Sequence, residues 1–223
     1  MLNRRGRYLQ IALNSSLSDA YRIIFSLPAS ERILIEAGTP LIKEFGMEAV
    51  RSLYGWWNQR LAGTALPYIV ADLKCIDRAA REVAMAAAAG ASAAVVMGGA
   101  PIETVNAFIK ACADEGMDSY VDMMNVEYPV KVMRLFPKQP TVVLLHRGVD
   151  EETFNRSKPI PYIQINKVRA NYTTMIGIAG GDTIREVQRA IFNSADIVVV
   201  WKEFYAASGE TAALATEFLK QIK

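Results

Sequence analysis

The segment YIVADLKCIDRAARE (68–82) places Asp72 and Lys74 two residues apart near the end of an otherwise apolar run, with Asp77 just beyond. Side chains alternate faces along a strand, so Asp72 and Lys74 point the same way. Such charges are costly on a buried face unless they are paired or put to use. A carboxylate and an ammonium at this spacing can hold a cation, move a proton or steady a developing anion. Polar residues close other apolar runs as well: Asn14 after LQIAL, Glu36 within ILIEA, Asp122 within SYVDM, His146 after TVVLL, Gly180 and Gly181 after MIGIA, and Lys202 after DIVVVW.

Glu36 and Asp72 end consecutive runs, which makes them neighbours in a sheet. Adjacent carboxylates repel unless one is protonated or both share a cation. Oxygen ligands with open positions suit Mg²⁺, so Glu36 and Asp72 are the candidate metal ligands and Mg²⁺ the candidate cofactor. Lys74 offers a metal-free way to neutralise the same pair. The chain has one histidine, which excludes a multi-His metal site. At a strand end opposite a cationic site, His146 is a candidate for proton transfer. The pair Gly180–Gly181 in GIAGGDT leads into a helix at Thr183. Bare N–H groups at a helix N-terminus bind phosphate, although a tight turn needing positive φ explains two glycines equally well.

These residues need elements to position them. Eight short apolar runs, bounded by turn residues, read as strands buried on both faces: 9–13, 33–37, 68–73, 93–97, 119–123, 141–146, 175–180 and 196–201. Helical patterns separate most of them, over 19–26, 47–61, 77–89, 102–115, 183–193 and 209–222, with a shorter one at 129–136. The segment 150–174 carries two prolines in PIPYIQINKVRANYTT and a strand-like piece, which argues against a full helix there. Alternation of this kind makes a parallel sheet with crossover helices. Eight repeats predict a single (β/α)₈ TIM barrel spanning 1–223, in a fold class where about 250 residues is typical. A doubly wound open sheet is the alternative. In such a barrel the active site lies at the C-terminal ends of the strands, where the polar residues above fall.

The totals narrow the function classes. Of 223 residues, 52% are hydrophobic and 22% charged, and the net charge is +2, a globular composition without a polyanion-binding face. NRRGR (3–7) reads as a solvated arm, and no nucleic-acid partner is expected. VAMAAAAGASAAVVMGGAPI (83–102) is uncharged but Ala-rich and interrupted by Gly90. It reads as helix, stop and strand, so no membrane association is expected. Two cysteines with no metal spacing and no apolar leader predict a reduced, cytoplasmic protein.

ADLKCID (71–77) matches the D-x-K-x-x-D motif and resembles the orotidine 5′-phosphate decarboxylase suprafamily. IEAGTPLIKEFGMEAVRSL (35–53) resembles the E-x-G-T-P-L-I-K-x-x-G segment of its 3-hexulose-6-phosphate synthase and 3-keto-L-gulonate-6-phosphate decarboxylase branch. Glu82, VDMMNVEYPVK (121–131), LLHRGVD (144–150) and IAGGDT (178–183) fit the same branch. The resemblance covers nearly the whole chain. It implies a homodimer with shared active sites, a sugar phosphate substrate, and Mg²⁺ on or near Glu36 and Asp72. It further implies Lys74 at the reacting end of the sugar, Asp77 reaching into the partner's site, His146 as acid or base, and Gly180 and Gly181 on phosphate. Asn14, Glu36, Asp122 and, beside the phosphate, Lys202 complete the expected substrate-binding set. The implied chemistry is a lyase reaction through an Mg²⁺-stabilised enediolate, either aldol addition of formaldehyde to ribulose 5-phosphate or decarboxylation. Two positions depart from the pattern. Asn14 stands where an Asp is usual, keeping hydrogen bonds but losing charge. Trp201–Lys202 stands where Gly-Arg or Gly-Gly is usual, and Lys202 can replace an Arg only as a point charge. A paralogue that binds a sugar phosphate without turning it over is the non-catalytic alternative.

Overall fold

In the computed structural model, which describes residues 1–155, 157–181, 183–206 and 210–222, the apolar runs form one closed parallel barrel in sequential order. Its strands are β1 (Tyr8–Leu13), β2 (Ile33–Ala37), β3 (Ile69–Cys75), β4 (Ala93–Met97), β5 (Asp118–Asp122), β6 (Val142–His146), β7 (Met175–Ala179) and β8 (Ile197–Val200). The last strand closes on the first, with Leu9 opposite Val198 and Ile11 opposite Val200. The expected (β/α)₈ barrel is therefore present, and the open sheet is not.

Helices α1 (Leu17–Ser26), α2 (Thr39–Phe45), α3 (Met47–Leu61), α4 (Ala79–Ala88), α5 (Ile102–Asp114), α6 (Pro129–Met133), α7 (Val149–Phe154), α8 (Tyr162–Arg169), α9 (Ile184–Phe192), α10 (Lys202–Ala206) and α11 (Thr211–Gln221) surround it. The Ala-rich stretch divides as its composition requires: α4 stops at Gly90, whose φ of 92° suits glycine, and β4 follows. No described helix is long and apolar enough to cross a membrane.

Period-two alternation sorts each strand into two layers. Outward residues such as Leu9, Ile11, Ile35, Val143 and Val198 pack under the helices. Inward residues such as Leu34, Val70, Val95, Tyr120, Leu144 and Val199 fill the barrel. Continuing the inward set towards the strand C-termini leads to Asn14, Glu36, Asp72, Asp122 and His146.

Several elements differ from the sequence expectation, among them the short helices α7 and α10, which no pattern announced. TPLIKEF (39–45) forms its own helix α2, begun by Pro40 in the first turn and ended by Gly46 at φ 59°. The strand-like piece of 150–174 is helical: Pro161 precedes α8, and Ile165 and Val168, three apart, bury one face. Strand β3 runs on to Cys75 through an irregularity in its pairing with β4, with Lys74 at φ 43°. The expected start of the last helix at residue 209 lies outside the described residues, as does Asp182 of IAGGDT.

Candidate active site

A cavity of about 770 Å³ opens at the C-terminal mouth of the barrel, lined on one side by Gln10, Asn14, Glu36, Asp72, Lys74 and His146. The β3 bulge turns Lys74 so that its ammonium bridges two strands. Its Nζ lies 3.0 Å from Asp72 Oδ2 and 3.2 Å from Asp122 Oδ2. His146 Nδ1 lies 2.8 Å from the same Asp122 oxygen, and the Met124 N–H donates to Asp122 Oδ1 at 2.9 Å. A connected row results: Asp72, Lys74, Asp122, His146. With Nδ1 committed to Asp122, the imidazole Nε2 is the nitrogen left for a ligand.

The charges in this row are set by their neighbours. Burial alone would drive a proton off Lys74, but the Asp72 and Asp122 carboxylates outweigh it and hold the ammonium charged well above neutral pH. Burial likewise opposes a charged His146, and Asp122 overcomes it, raising the imidazole above its ordinary value. Asp122 would be pushed up by its own burial. The charge and hydrogen bond of His146, then Lys74 and the Met124 N–H, bring it below the usual carboxylate range instead.

Glu36 behaves in the opposite way. Burial first, then the Asp72 carboxylate, raise it to about 7, against the opposing hydrogen bond from Gln10 Nε2 at 2.5 Å. The Thr39 hydroxyl lies 2.9 Å from Asp72 Oδ2 and 2.8 Å from its carbonyl oxygen, fixing that side chain from α2. Glu36 and Asp72 thus offer hard oxygen donors in a site where one more negative charge is disfavoured, which suits a divalent cation. Among the described residues no group of three or more His, Cys, Asp or Glu could hold a metal ion. A cation here would complete its shell with water and substrate oxygens, which is the habit of Mg²⁺.

Asn14 lines the cavity as expected. Its backbone N–H donates to the Tyr205 hydroxyl at 3.0 Å, and its Oδ1 packs on Gly38, where a Cβ would come within 1.8 Å. Three expected residues stand elsewhere. Asp122 is fully buried beneath Lys74 and His146 and holds both groups, outside the residues that line the cavity. Asp77 is exposed beyond β3 and outside this chain's cavity. Gly181 is buried, with Ile160 and Glu186 where its Cβ would be. Gly180 does line the cavity, at φ 98°, with the Arg147 carbonyl 2.3 Å from where a Cβ would stand. Lys202 lines it too, ion-paired to Glu152 at 2.5 Å.

The sequence reading missed Gln10, Thr39, Arg147 and Glu152. Gln10 left a trace, since Gln10, Ala12 and Asn14 share the inward face of β1. Thr39 follows a strand end directly but lies in a segment that had no helix assigned. Arg147 lies in the turn after β6 and Glu152 in the short helix α7, where strand alternation gives no direction.

These features define a (β/α)₈ barrel with a cavity at its C-terminal mouth that carries charged and polar groups on an otherwise apolar lining. A model of the Orotidine 5'-phosphate decarboxylase / HUMPS family matches residues 7–216, and the chain belongs to that family. It is 35% identical over 218 residues to a "Bifunctional enzyme Fae/Hps" of Methanothrix thermoacetophila, covering 97% of this chain and 53% of that protein. The chain spans about half the length of the curated relatives it matches. Among solved structures, a 3-hexulose-6-phosphate synthase superposes with a TM-score of 0.81 at 25% identity, over 97% of this chain and 100% of that one. The fold is also that of 3-keto-L-gulonate-6-phosphate decarboxylase from Vibrio cholerae O1 biovar El Tor str. N16961, with a TM-score of 0.75 at 22% identity over 97% of each chain.

Proposed function

We propose that the chain is a lyase acting on a ketose phosphate through an enediolate, with the activity of a 3-hexulose-6-phosphate synthase: the reversible aldol addition of formaldehyde to ribulose 5-phosphate. The observation that carries this reading is the row Asp72–Lys74–Asp122–His146, a buried cation and a raised imidazole joined through one carboxylate on the cavity floor. The Fae/Hps relatives, aligned over nearly the whole chain, support the same reading.

In this reading His146 Nε2 faces the substrate and exchanges a proton at the carbon beside the ketose carbonyl, while Asp122 keeps Nδ1 protonated. Lys74 places fixed positive charge beside the oxyanion that this proton loss creates. The carbon then bonds to formaldehyde, whose oxygen takes up a proton. Glu36 and Asp72 would hold Mg²⁺, which when bound polarises the substrate oxygens and stabilises their charge. Asn14, at the mouth of β1, offers an amide to a substrate hydroxyl. Val95, Leu144 and Val199 give the cavity an apolar lining beside the reacting carbons.

Asp77, exposed beside the exposed Ile76, supports a homodimer in which it reaches the neighbouring site. Both cysteines are free and buried, which suits the reducing cytoplasm.

The test is an Mg²⁺-dependent assay of ribulose 5-phosphate with formaldehyde, run beside 3-keto-L-gulonate 6-phosphate and orotidine 5′-phosphate. Synthase activity exceeding both decarboxylations is expected. A larger rate on either decarboxylation substrate moves the assignment to that branch, and inertness on all three with binding retained replaces it with a binding role.

A further inference from the structure

The barrel closes where β8 meets β1, and that seam is shorter than the strand it closes. The last ladder pair across it is Ile11 opposite Val200, whereas β1 runs on beside β2 to Leu13 opposite Ala37. The Gly38 N–H then donates to the Leu13 carbonyl at 3.0 Å. Asn14 is the next residue, half-buried and beyond the ladder on both sides. Its N–H has no strand beside it and needs another partner. One phenol supplies it: the Tyr205 hydroxyl accepts from the Asn14 N–H at 3.0 Å and from the Ser15 N–H at 3.3 Å.

The phenol is itself fixed. Tyr205 sits in α10 beside Phe204, which is fully buried with its ring 5.9 Å from that of Phe218 in α11. The Tyr205 ring stands edge-on to Trp201, at 6.3 Å between centroids and 78° between planes. Packing therefore sets where the hydroxyl stands, independently of the N–H groups it meets. On its other flank Asn14 is held by Gly38, where a Cβ would collide with Oδ1. Asn14 lines the cavity, and among the described residues nothing hydrogen-bonds its side-chain amide.

We infer that Tyr205 is a positioning residue for the substrate: it latches the turn after β1 to α10 and so holds the Asn14 amide towards the cavity. This rests on the ketose-phosphate reading, in which that amide meets a substrate hydroxyl, and adds to it the group that aims the amide. Tyr205 lies outside the residues that line the cavity, so it acts through Asn14. A hydrogen bond weakens steeply with distance and angle. An amide on a turn without ladder partners keeps its geometry only where the backbone is tied. Without the phenol oxygen, water can take the two N–H groups, since Ser15 is exposed and Asn14 half-buried. The turn is then free to shift, at little cost to the fold and at direct cost to the contact with substrate.

Calorimetric titration with ribulose 5-phosphate in the presence of Mg²⁺ tests this on wild type, Tyr205→Phe, Asn14→Ala and the double variant, with thermal melts alongside. Tyr205→Phe keeps the ring and should melt within about 4 °C of wild type, the scale of one hydrogen bond in a chain of this size. It should bind the sugar phosphate on the order of fivefold more weakly, and Asn14→Ala on the order of tenfold more weakly. In the Asn14→Ala background, Tyr205→Phe should cost nothing further, because two changes acting through one contact do not add. Wild-type affinity in Tyr205→Phe overturns the inference. So does a double variant in which the two losses multiply, which would make Tyr205 a general support of the mouth. Wild-type turnover of ribulose 5-phosphate with formaldehyde, measured on the same preparation, separates the two readings. Turnover with losses that multiply sinks this inference alone. No turnover with the coupling as expected sinks the lyase reading and leaves the latch standing. A wild type that does not bind ribulose 5-phosphate overturns both.

Discussion

Asp118 and Asp122 begin and end the same strand, both face the barrel interior, and both are buried, yet their surroundings are opposite. At the lower end, Asp118 Oδ2 accepts from the Leu2 N–H at 2.7 Å and the Tyr68 hydroxyl at 2.8 Å. Burial, and then the neighbouring Tyr120 and Asp118, keep the Tyr68 phenol protonated far above its usual range. At the upper end, Asp122 is met by an ammonium and an imidazole. Neutral donors close the lower carboxylate into a fixed plug. Cations make the upper one part of a network whose charge can move. The difference separates a carboxylate that holds the barrel shut from one that serves chemistry.

The largest effect should come from removing the charges at the upper end. Lys74→Ala and Asp72→Asn should each lower kcat/KM on the ketose phosphate by on the order of 10²–10³ while the fold persists. Retention of most of the wild-type rate in either variant would falsify the division between the two ends.

Glu36 gives the next largest effect, and it is one of stability. Its folded-state value of about 7 lies above the unfolded one. Its contribution to stability is therefore complete below the ordinary carboxylate range and is lost as pH rises through about 7. Without metal, Glu36→Gln should raise stability at about pH 8 by on the order of 2–3 kcal/mol and change little at about pH 5. Equal gains at both pH values, read from melting curves, would break the assignment.

Asp122→Asn sharpens the comparison at smaller scale. With one histidine in the chain, an NMR titration reports His146 alone. The variant should lower its midpoint by about one pH unit or more, since the carboxylate that outweighs burial is gone. In wild type the raised imidazole contributes stability below the ordinary histidine value, lost as pH rises through the elevated one. A midpoint unmoved by the substitution shows that Asp122 does not set the charge of His146.

Tyr68→Phe should do least to catalysis: turnover unchanged, with a loss of about 1.5–3 kcal/mol in stability, the scale of one hydrogen bond to a charged group. A change in rate with no change in melting temperature would mean the lower end is not merely a plug.

Much of the upper end was legible because it follows from two simple regularities. Strand alternation places Glu36, Asp72 and His146 on one inner face, and parallel topology brings their ends to one mouth. Asp122 obeyed the same rule but is covered by Lys74 and His146, a distinction that residue spacing does not carry. Lys74 reached Asp122 through a bulge in β3, which no pattern in ADLKC announces. Arg147 and Glu152 were not legible because α7 and the turn before it have no period from which a side-chain direction follows. The lower plug was equally hidden: Asp118 was read as the residue before a strand, and its partner Leu2, just ahead of the NRRGR arm, was given no role.

The N-terminal arm has a practical consequence. Leu2 is hydrogen-bonded to Asp118 at the base of the barrel. Arg32, at the same end, donates to the carbonyls of Arg7, at 3.1 Å, and Ile222. Both ends of the described chain therefore emerge on the face opposite the cavity. A tag, a surface linker or a fused partner joined at either end hangs from the floor of the barrel. The mouth then stays open to small molecules diffusing in from the other side.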